Sequence, residues 1–405
     1  MNTPRHFRLH WMLWAWVAVV ALIALNRGVD LLWGMAMLLV TAIAAALALP
    51  ALQLRKVRIA RKQFPTSAVV GEPLQISYEI ATPGGWPRYG IEIHDRLCND
   101  MDASLAAYLP RVAKTEEIAF TWTPQTRGCW RLEDIALQSG YPLGLRTARR
   151  TVPVTPREIT VYPDFVPLRW LPLQGEANPQ MARIVSRRRA GHDEFFGLKE
   201  YRPGDELRAI HWRASARLGE LVLREYEHQQ DRMVWILLEL SQGAHLGSGR
   251  LASSECMFRI AHSIVVKAIE EDVPVGLLYR SAGRIHRSVP AADRSAYVLL
   301  RETLARVNVE REQPPLSTWL PESMSQLPSG GTWVLFNLNG GKTQGTLERV
   351  AMQRGAMPLL VEFEHHSFSR GALDPRSRII THATPHSLVS TVPCGADLSE
   401  LFRRP

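Results

Sequence analysis

The chain is poor in cysteine. Cys98, Cys129, Cys256 and Cys394 are its four in 405 residues, and they form no C-x-x-C pair and have no histidine at zinc-ligand spacing. That excludes a zinc ribbon and a disulfide-stapled secreted scaffold, and leaves four small thiols in a reducing compartment. Three common catalytic signatures are also missing: a G-x-S-x-G nucleophile elbow, an H-E-x-x-H metal helix and a P-loop. No low-complexity tract marks disorder. Hydrophobic content of 46% and charged content of 21% fit a globular protein with a membrane portion. The surplus of basic over acidic charge is concentrated in one region. The net charge is +9, yet residues 1–62 hold eight Lys/Arg against Asp30 alone, a balance of +7 that leaves +2 for the rest. A nucleic-acid surface needs basic residues on the folded part, so nucleic acid is not an expected partner. The excess belongs to membrane flanks.

Long apolar runs are what the N-terminus does have. Residues 11–25 are fifteen uncharged apolar residues, and residues 31–49 are nineteen interrupted by Gly34 and Thr41. At 1.5 Å per residue they reach about 22 Å and about 28 Å, against a hydrocarbon core of about 30 Å. The polar turn 26–30 between them predicts a transmembrane helical hairpin rather than a cleaved signal peptide, since cleavage near Leu25 would still leave a spanning run. Arg5 and Arg8 precede the first run, Arg27 lies in the turn, and Arg55, Lys56, Arg58, Arg61 and Lys62 follow the second. Positive-inside then places both ends, and the soluble part, in the cytoplasm of a cytoplasmic (inner) membrane protein with a two-span anchor, the lipid bilayer being its first partner.

Residues 53–165 alternate with period two, as in Leu74/Ile76/Tyr78/Ile80, Ile91/Ile93 and Ile118/Phe120/Trp122, punctuated by turn chemistry at Gly71, Pro83-Gly84 and Gly128. Short alternating strands predict an antiparallel β-sandwich, immunoglobulin-like in class. From Arg232 the pattern changes. Continuous apolar runs at 233–240, 273–279, 333–338 and 359–363 predict strands buried on both faces, and helical periodicity marks 251–271 and 295–307. Alternating strands and helices mean a mostly parallel α/β sheet.

Between these parts lies a segment, 191–227, dense in charge yet broken by Phe195, Phe196, Tyr201, Ile210, Trp212 and Leu221. It reads as an extended run from Phe195 to Tyr201, a turn at Pro203-Gly204-Asp205, a short helical piece over 207–217, then a strand from Leu221. Its string G-x-x-E-F-x-G-L-K-E-Y-x-P-G-D-x-x-R-x-I-H-W-x-A-S-A-R-x-G-E-L-x-x-R-E resembles the signature of the DUF58 proteins, a family named for unknown function. The resemblance implies a membrane-anchored protein with a von Willebrand A-like α/β domain. It also implies work beside a MoxR-type AAA+ ATPase and a transglutaminase-like membrane protein. The expected organisation is multi-domain: a transmembrane α-hairpin (1–52), a β-sandwich (53–165), the signature segment (166–230) and the A-like domain (231–405).

The candidate interaction residues are Gly191, Phe195, Glu200, Tyr201, Pro203, Gly204, Asp205, Arg208, His211, Trp212, Ser215 and Arg217. Asp205, Arg208, Arg213 and Arg217 are expected to form an ionic network closing the segment, and His211 to be a satisfied buried histidine. An enzyme using the Asp205/His211 region is the competing reading. A-like domains bind a divalent ion through Asp-x-Ser-x-Ser after the first strand. The matching residues here are Glu239-Leu240-Ser241-Gln242-Gly243, a degenerate remnant whose acid is one methylene longer and whose last hydroxyl is gone. Glu239 and Ser241 are therefore not expected to hold metal, no cofactor is expected, and a metal-dependent adhesion module is the lesser alternative.

Overall fold

A computed structural model describes residues 15–23, 25–26, 30–84, 86–97, 104–173, 194–201, 210–227, 232–337, 341–370 and 378–402. The chain forms two compact units, Met1–Val161 and Tyr162–Pro405.

The first unit opens with helix α1 (Asp30–Leu54), long and apolar enough to cross a membrane. Its large apolar side chains stand exposed, Leu31, Met37 and Leu38 among them. Residues 15–23 are also helical; a second span is not established. Nine strands follow: β1 (Arg58–Gln63), β2 (Ser67–Val69), β3 (Leu74–Ala81), β4 (Arg88–Leu97), β5 (Ser104–Val112), β6 (Thr115–Trp122), β7 (Gly128–Ser139), β8 (Ala148–Val152) and β9 (Arg157–Tyr162). β1, β3 and β6 make one antiparallel sheet. The other runs β2-β9-β7-β4-β5, with β8 also on β7. The alternating residues point inward as their period requires. Ile59, Ile76, Tyr78 and Ile80 from the first sheet meet Ile91, Ile93, Leu132, Leu137, Ile159 and Val161 from the second in one core.

The second unit holds a separate antiparallel hairpin, β10 (Glu194–Glu200) with β11 (Val222–Glu227), and helix α2 (Trp212–Leu218) in the connection between them. The rest is α/β: β12 (Val234–Leu237), α3 (Ser253–Glu270), β13 (Val275–Ser281), β14 (Arg284–Arg287), α4 (Arg294–Arg306), α5 (Leu316–Glu322), β15 (Thr332–Asn337), α6 (Gly341–Gln353), β16 (Met357–Phe363), α7 (His365–Arg370), β17 (Ile380–Ala383) and β18 (Leu388–Val392). The seven strands lie in the order β14-β13-β12-β15-β16-β18-β17. The five inner strands are parallel, and β14 and β17 are antiparallel edges.

Successive residues of the inner strands feed two different cores. Val234, Ile236, Val275, Leu277, Val334 and Phe336 pack with α3 and α4. Trp235, Leu237, Leu278, Trp333 and Leu335 pack with α5 and α6. Burial on both faces is why these strands are continuous apolar runs. Gly276, opposite Trp235 across β12 and β13, shows how tight the layer is: a Cβ there would lie 2.7 Å from Trp235 Cζ3.

Candidate functional site

Two regions of the second unit carry the residues singled out by sequence. In the signature hairpin, Phe195 and Glu200 lie on β10, and Tyr201 closes it by donating its amide to the Leu221 carbonyl at 2.8 Å. His211 sits immediately before α2 as its N-cap. Its Nδ1 accepts the Ala214 amide at 3.2 Å, satisfying a donor that the first turn leaves orphaned. Its own amide reaches the Val222 carbonyl at 2.9 Å. Ser215, 7% exposed, accepts the Val222 amide on Oγ at 3.0 Å and donates to the Val222 carbonyl at 3.4 Å. Helix and strand are thus bolted together through one hydroxyl, with Ile210 and Val222 buried beside it. Gly219 ends the helix in the left-handed region, φ 75°.

His211 and Ser215 both bond to Val222. His211, expected to be buried, is half-buried, and Trp212 is 66% exposed. Arg213 and Arg217 are exposed. Gly191, Pro203, Gly204, Asp205 and Arg208 lie outside the described residues, and with them the acid of the expected network.

The second region is the carboxyl edge of the parallel sheet. β12 has β13 on one side and β15 on the other, so its end is the switch point of the strand order, where open α/β sheets place their ligands. Glu239 stands two residues beyond it, 4% exposed. Its Oε1 accepts the Ser241 amide at 2.9 Å and its Oε2 the Leu316 amide at 2.6 Å. Burial pushes this carboxyl up to about 7, and the two amides pull it partly back. His245 donates Nε2–H to the Glu239 carbonyl at 2.7 Å, leaving Nδ1 to face Ser253 Oγ at 3.3 Å.

These residues do not fit a divalent ion. Both carboxylate oxygens are turned onto backbone amides, and burial favours the protonated acid. Position 243 adds no donor although space for a side chain exists there, since a Cβ would meet Ser241 Oγ at an ordinary 3.9 Å.

Further polar groups line the same edge, and the sequence reading misses them. Glu310 accepts Ser281 Oγ–H at 2.5 Å and the Ala282 amide at 3.1 Å, holding a turn in which Ala282 has φ 48°. Asn337 ends β15, donates to Glu362 at 3.1 Å and accepts from Thr343 at 2.6 Å. Asn337 carries a signal in the sequence, since it ends an apolar strand, whereas Glu310 follows helix α4 and carries none. At the start of the unit, His262 donates Nδ1–H to the Pro163 carbonyl at 2.8 Å, and burial holds its pKa below the ordinary value. Cys256 and Cys394 are thiols, and burial pushes Cys256 up to about 12, the mark of an unreactive sulfur.

Among solved structures, the CARDB domain of the PF1109 protein from Pyrococcus furiosus is 13% identical, over 26% of this chain and 94% of that one, with a TM-score of 0.18. The crystal form of that domain, in complex with di-metal ions, gives the same identity and TM-score. A β-glucosidase from Listeria innocua in complex with glucose is 15% identical over 24% of this chain and 16% of that one, with a TM-score of 0.16. Likenesses this slight carry no argument about this chain. Curated proteins give no match. The signature hairpin and the first half of the α/β sheet, residues 197–321, match the family described as Protein of unknown function DUF58.

Proposed function

We propose that the chain is a membrane-anchored, cytoplasm-facing adaptor that works with a MoxR-type AAA+ ATPase in the assembly or maturation of other proteins or of the cell envelope. One observation supports the scaffold half of this reading: among the described residues of the signature, the His211 and Ser215 side chains are spent on structure. A general base must offer its lone pair to a substrate proton, but His211 Nδ1 is turned onto the Ala214 amide. A nucleophile needs a base in reach, but Ser215 is bonded on both sides to Val222. Glu239 holds two amides of the sheet edge in the same way.

The strand order of the second unit supports an A-like domain, and the two antiparallel sheets of the first support an immunoglobulin-like sandwich. The ATPase, and a transglutaminase-like membrane protein beside it, come from the family resemblance. The test is affinity capture of the tagged full chain from detergent extracts, with bound proteins identified by mass spectrometry. A MoxR-type ATPase is expected, and capture should survive Ser215→Ala. Its repeated absence, with hydrolytic activity in the purified chain lost on His211→Ala, would replace the adaptor by an enzyme.

A further inference from the structure

The strand registers gather one set of loops around the exit of α1. β1 begins just after the helix, and Arg58 pairs with Ala81, the last residue of β3. Ala81 also pairs with Thr115, the first residue of β6. Arg88, the first residue of β4, pairs with Val112, the last of β5. Ser139, the last residue of β7, pairs with Ala148, the first of β8. Residues 82–84 and 86–87 and loops 113–114 and 140–147 therefore leave the sandwich at the end where the helix enters it. The turn at Glu72 lies at the opposite end, a full β3 strand away, roughly 25 Å at the usual rise.

This end is fastened to the helix by arginines. Arg150 Nη1 donates to the Leu54 carbonyl at 2.7 Å, Arg88 Nη1 to Leu52 at 3.0 Å and Arg146 Nη1 to Leu47 at 3.4 Å. The carbonyls at a helix C-terminus otherwise lack partners and attract cations. Arg146 reaches further than a cap requires. Leu47 lies seven residues before the end of α1, about 10 Å back along its axis. The 140–147 loop therefore climbs beside the helix to the level of its apolar run, which extends to Leu49.

What that loop and its neighbours present is not ordinary surface. Leu143 is 60% exposed and Tyr141 38%, and Trp86 in the adjacent loop is 77% exposed. Tyr141 stacks on Tyr89 with ring centroids 5.3 Å apart, so the aromatic face is fixed in position. Arg55, Lys56, Lys114 and Arg146 lie in the segments at this same end, all exposed, while Glu116 is half-buried and accepts the Ala113 amide. Aromatic rings with an apolar tip, ringed by basic residues, suit the headgroup layer of a bilayer and its anionic phosphates.

We propose that this end of the sandwich is a membrane-docking face: Trp86, Tyr141 and Leu143 seat in the interfacial layer of an anionic phospholipid bilayer, and Lys56, Lys114 and Arg146 pair with its phosphates. The inference rests on the reading of α1 as a membrane span. Docking holds the sandwich against the bilayer at a fixed tilt rather than on a loose tether.

The test is photocrosslinking of the full chain in nanodiscs of phosphatidylethanolamine and phosphatidylglycerol. Benzoylphenylalanine is placed singly at Leu38, Glu72, Trp86 or Leu143, all exposed positions that leave the core intact. Lipid adducts are expected at 38, 86 and 143 and none at 72. In discs of phosphatidylcholine alone, adducts at 86 and 143 should fall while those at 38 persist. Adducts at 38 without any at 86 and 143 would overturn docking and leave the anchor standing. Loss of adducts at 38 would remove the anchor and docking with it. Adducts at 143 to protein instead of lipid would assign the face to another chain, and equal yields in both discs would overturn the anionic preference.

Discussion

Glu239 shows what burial does to one carboxyl. Its pKa rises from an ordinary 4.5 to about 7 because the charged form is removed from water, and two amide donors offset part of that. A group whose folded pKa is raised contributes stability that is complete below the unfolded value and is lost as pH climbs through the folded one. The window is therefore 4.5 to about 7, and the amount is roughly 3 kcal/mol. His262 runs the other way: burial lowers its pKa, so its contribution is complete above the ordinary 6.5 and fades as pH falls below it. The two partly cancel in the whole protein, which is why a variant is needed to see either. Glu239→Gln leaves the second amide facing an NH2 group and should lower the melting temperature at acid pH. The gap between parent and variant should then shrink from about pH 5 to about pH 8. A gap that stays constant with pH would sink the assignment. The sequence marks Glu239, because an acid after an apolar strand stands out. It does not reveal that the second amide comes from Leu316, seventy-seven residues further on. Contacts of that range are fixed by the fold and leave no local pattern.

At the scale of elements, the sandwich is held by an ion that the alternating pattern hides. Ile91, Ile93 and Asp95 occupy successive inward positions of β4, so the apolar row ends on an acid that is 0% exposed. Arg61 of β1 meets it with Nε at 2.9 Å and Nη2 at 2.7 Å, a forked pair, and Tyr78 of β3 donates its hydroxyl at 2.6 Å. Burial first, then the Asp95 charge, raises the Tyr78 pKa well above its ordinary value. Arg61 also donates to the Glu133 and Thr155 carbonyls, which satisfies the rest of its fork. The three groups join the two sheets across their core. Removing one partner of a buried pair leaves the other without its counter-ion, so Asp95→Asn should destabilise the first unit by about 3–5 kcal/mol. Urea unfolding followed by tryptophan fluorescence is the measurement, and a loss below about 1 kcal/mol, the range of exposed pairs, would show that the triad is not what joins the sheets. Element types are largely legible here, since each apolar alternation or run quoted beyond residue 53 contains a strand. The antiparallel edges β14 and β17 are not legible, because an edge strand is exposed on one side and carries no continuous apolar signal: β14 is Arg-Ile-His-Arg.

At the scale of the whole molecule, the charges flanking the apolar runs predict which side of the membrane each end occupies. Topology is set while the chain inserts, so Arg61 counts with Arg55, Lys56, Arg58 and Lys62 even though it ends in a buried pair. These five basic residues directly after α1 should hold the soluble part in the cytoplasm whether one helix spans or two. The first apolar run is what separates the cases. Residues 15–23 are helical, and fifteen apolar residues reach about 22 Å, short of a core of about 30 Å unless the bilayer thins or Trp11 and Arg8 reach the interface. A hairpin returns Arg5 and Arg8 to the cytoplasm, whereas a single span leaves them on the far side. A cytoplasmic reporter fused after Pro405 should be active, and one fused before Met1 should be active as well, because two arginines there outweigh the single Arg27 in the turn. Activity of an export-dependent phosphatase at the N-terminal position, with the C-terminal reporter still cytoplasmic, would reduce the anchor to α1 alone. Phosphatase activity after Pro405 would reverse the orientation and remove the cytoplasmic ATPase from reach.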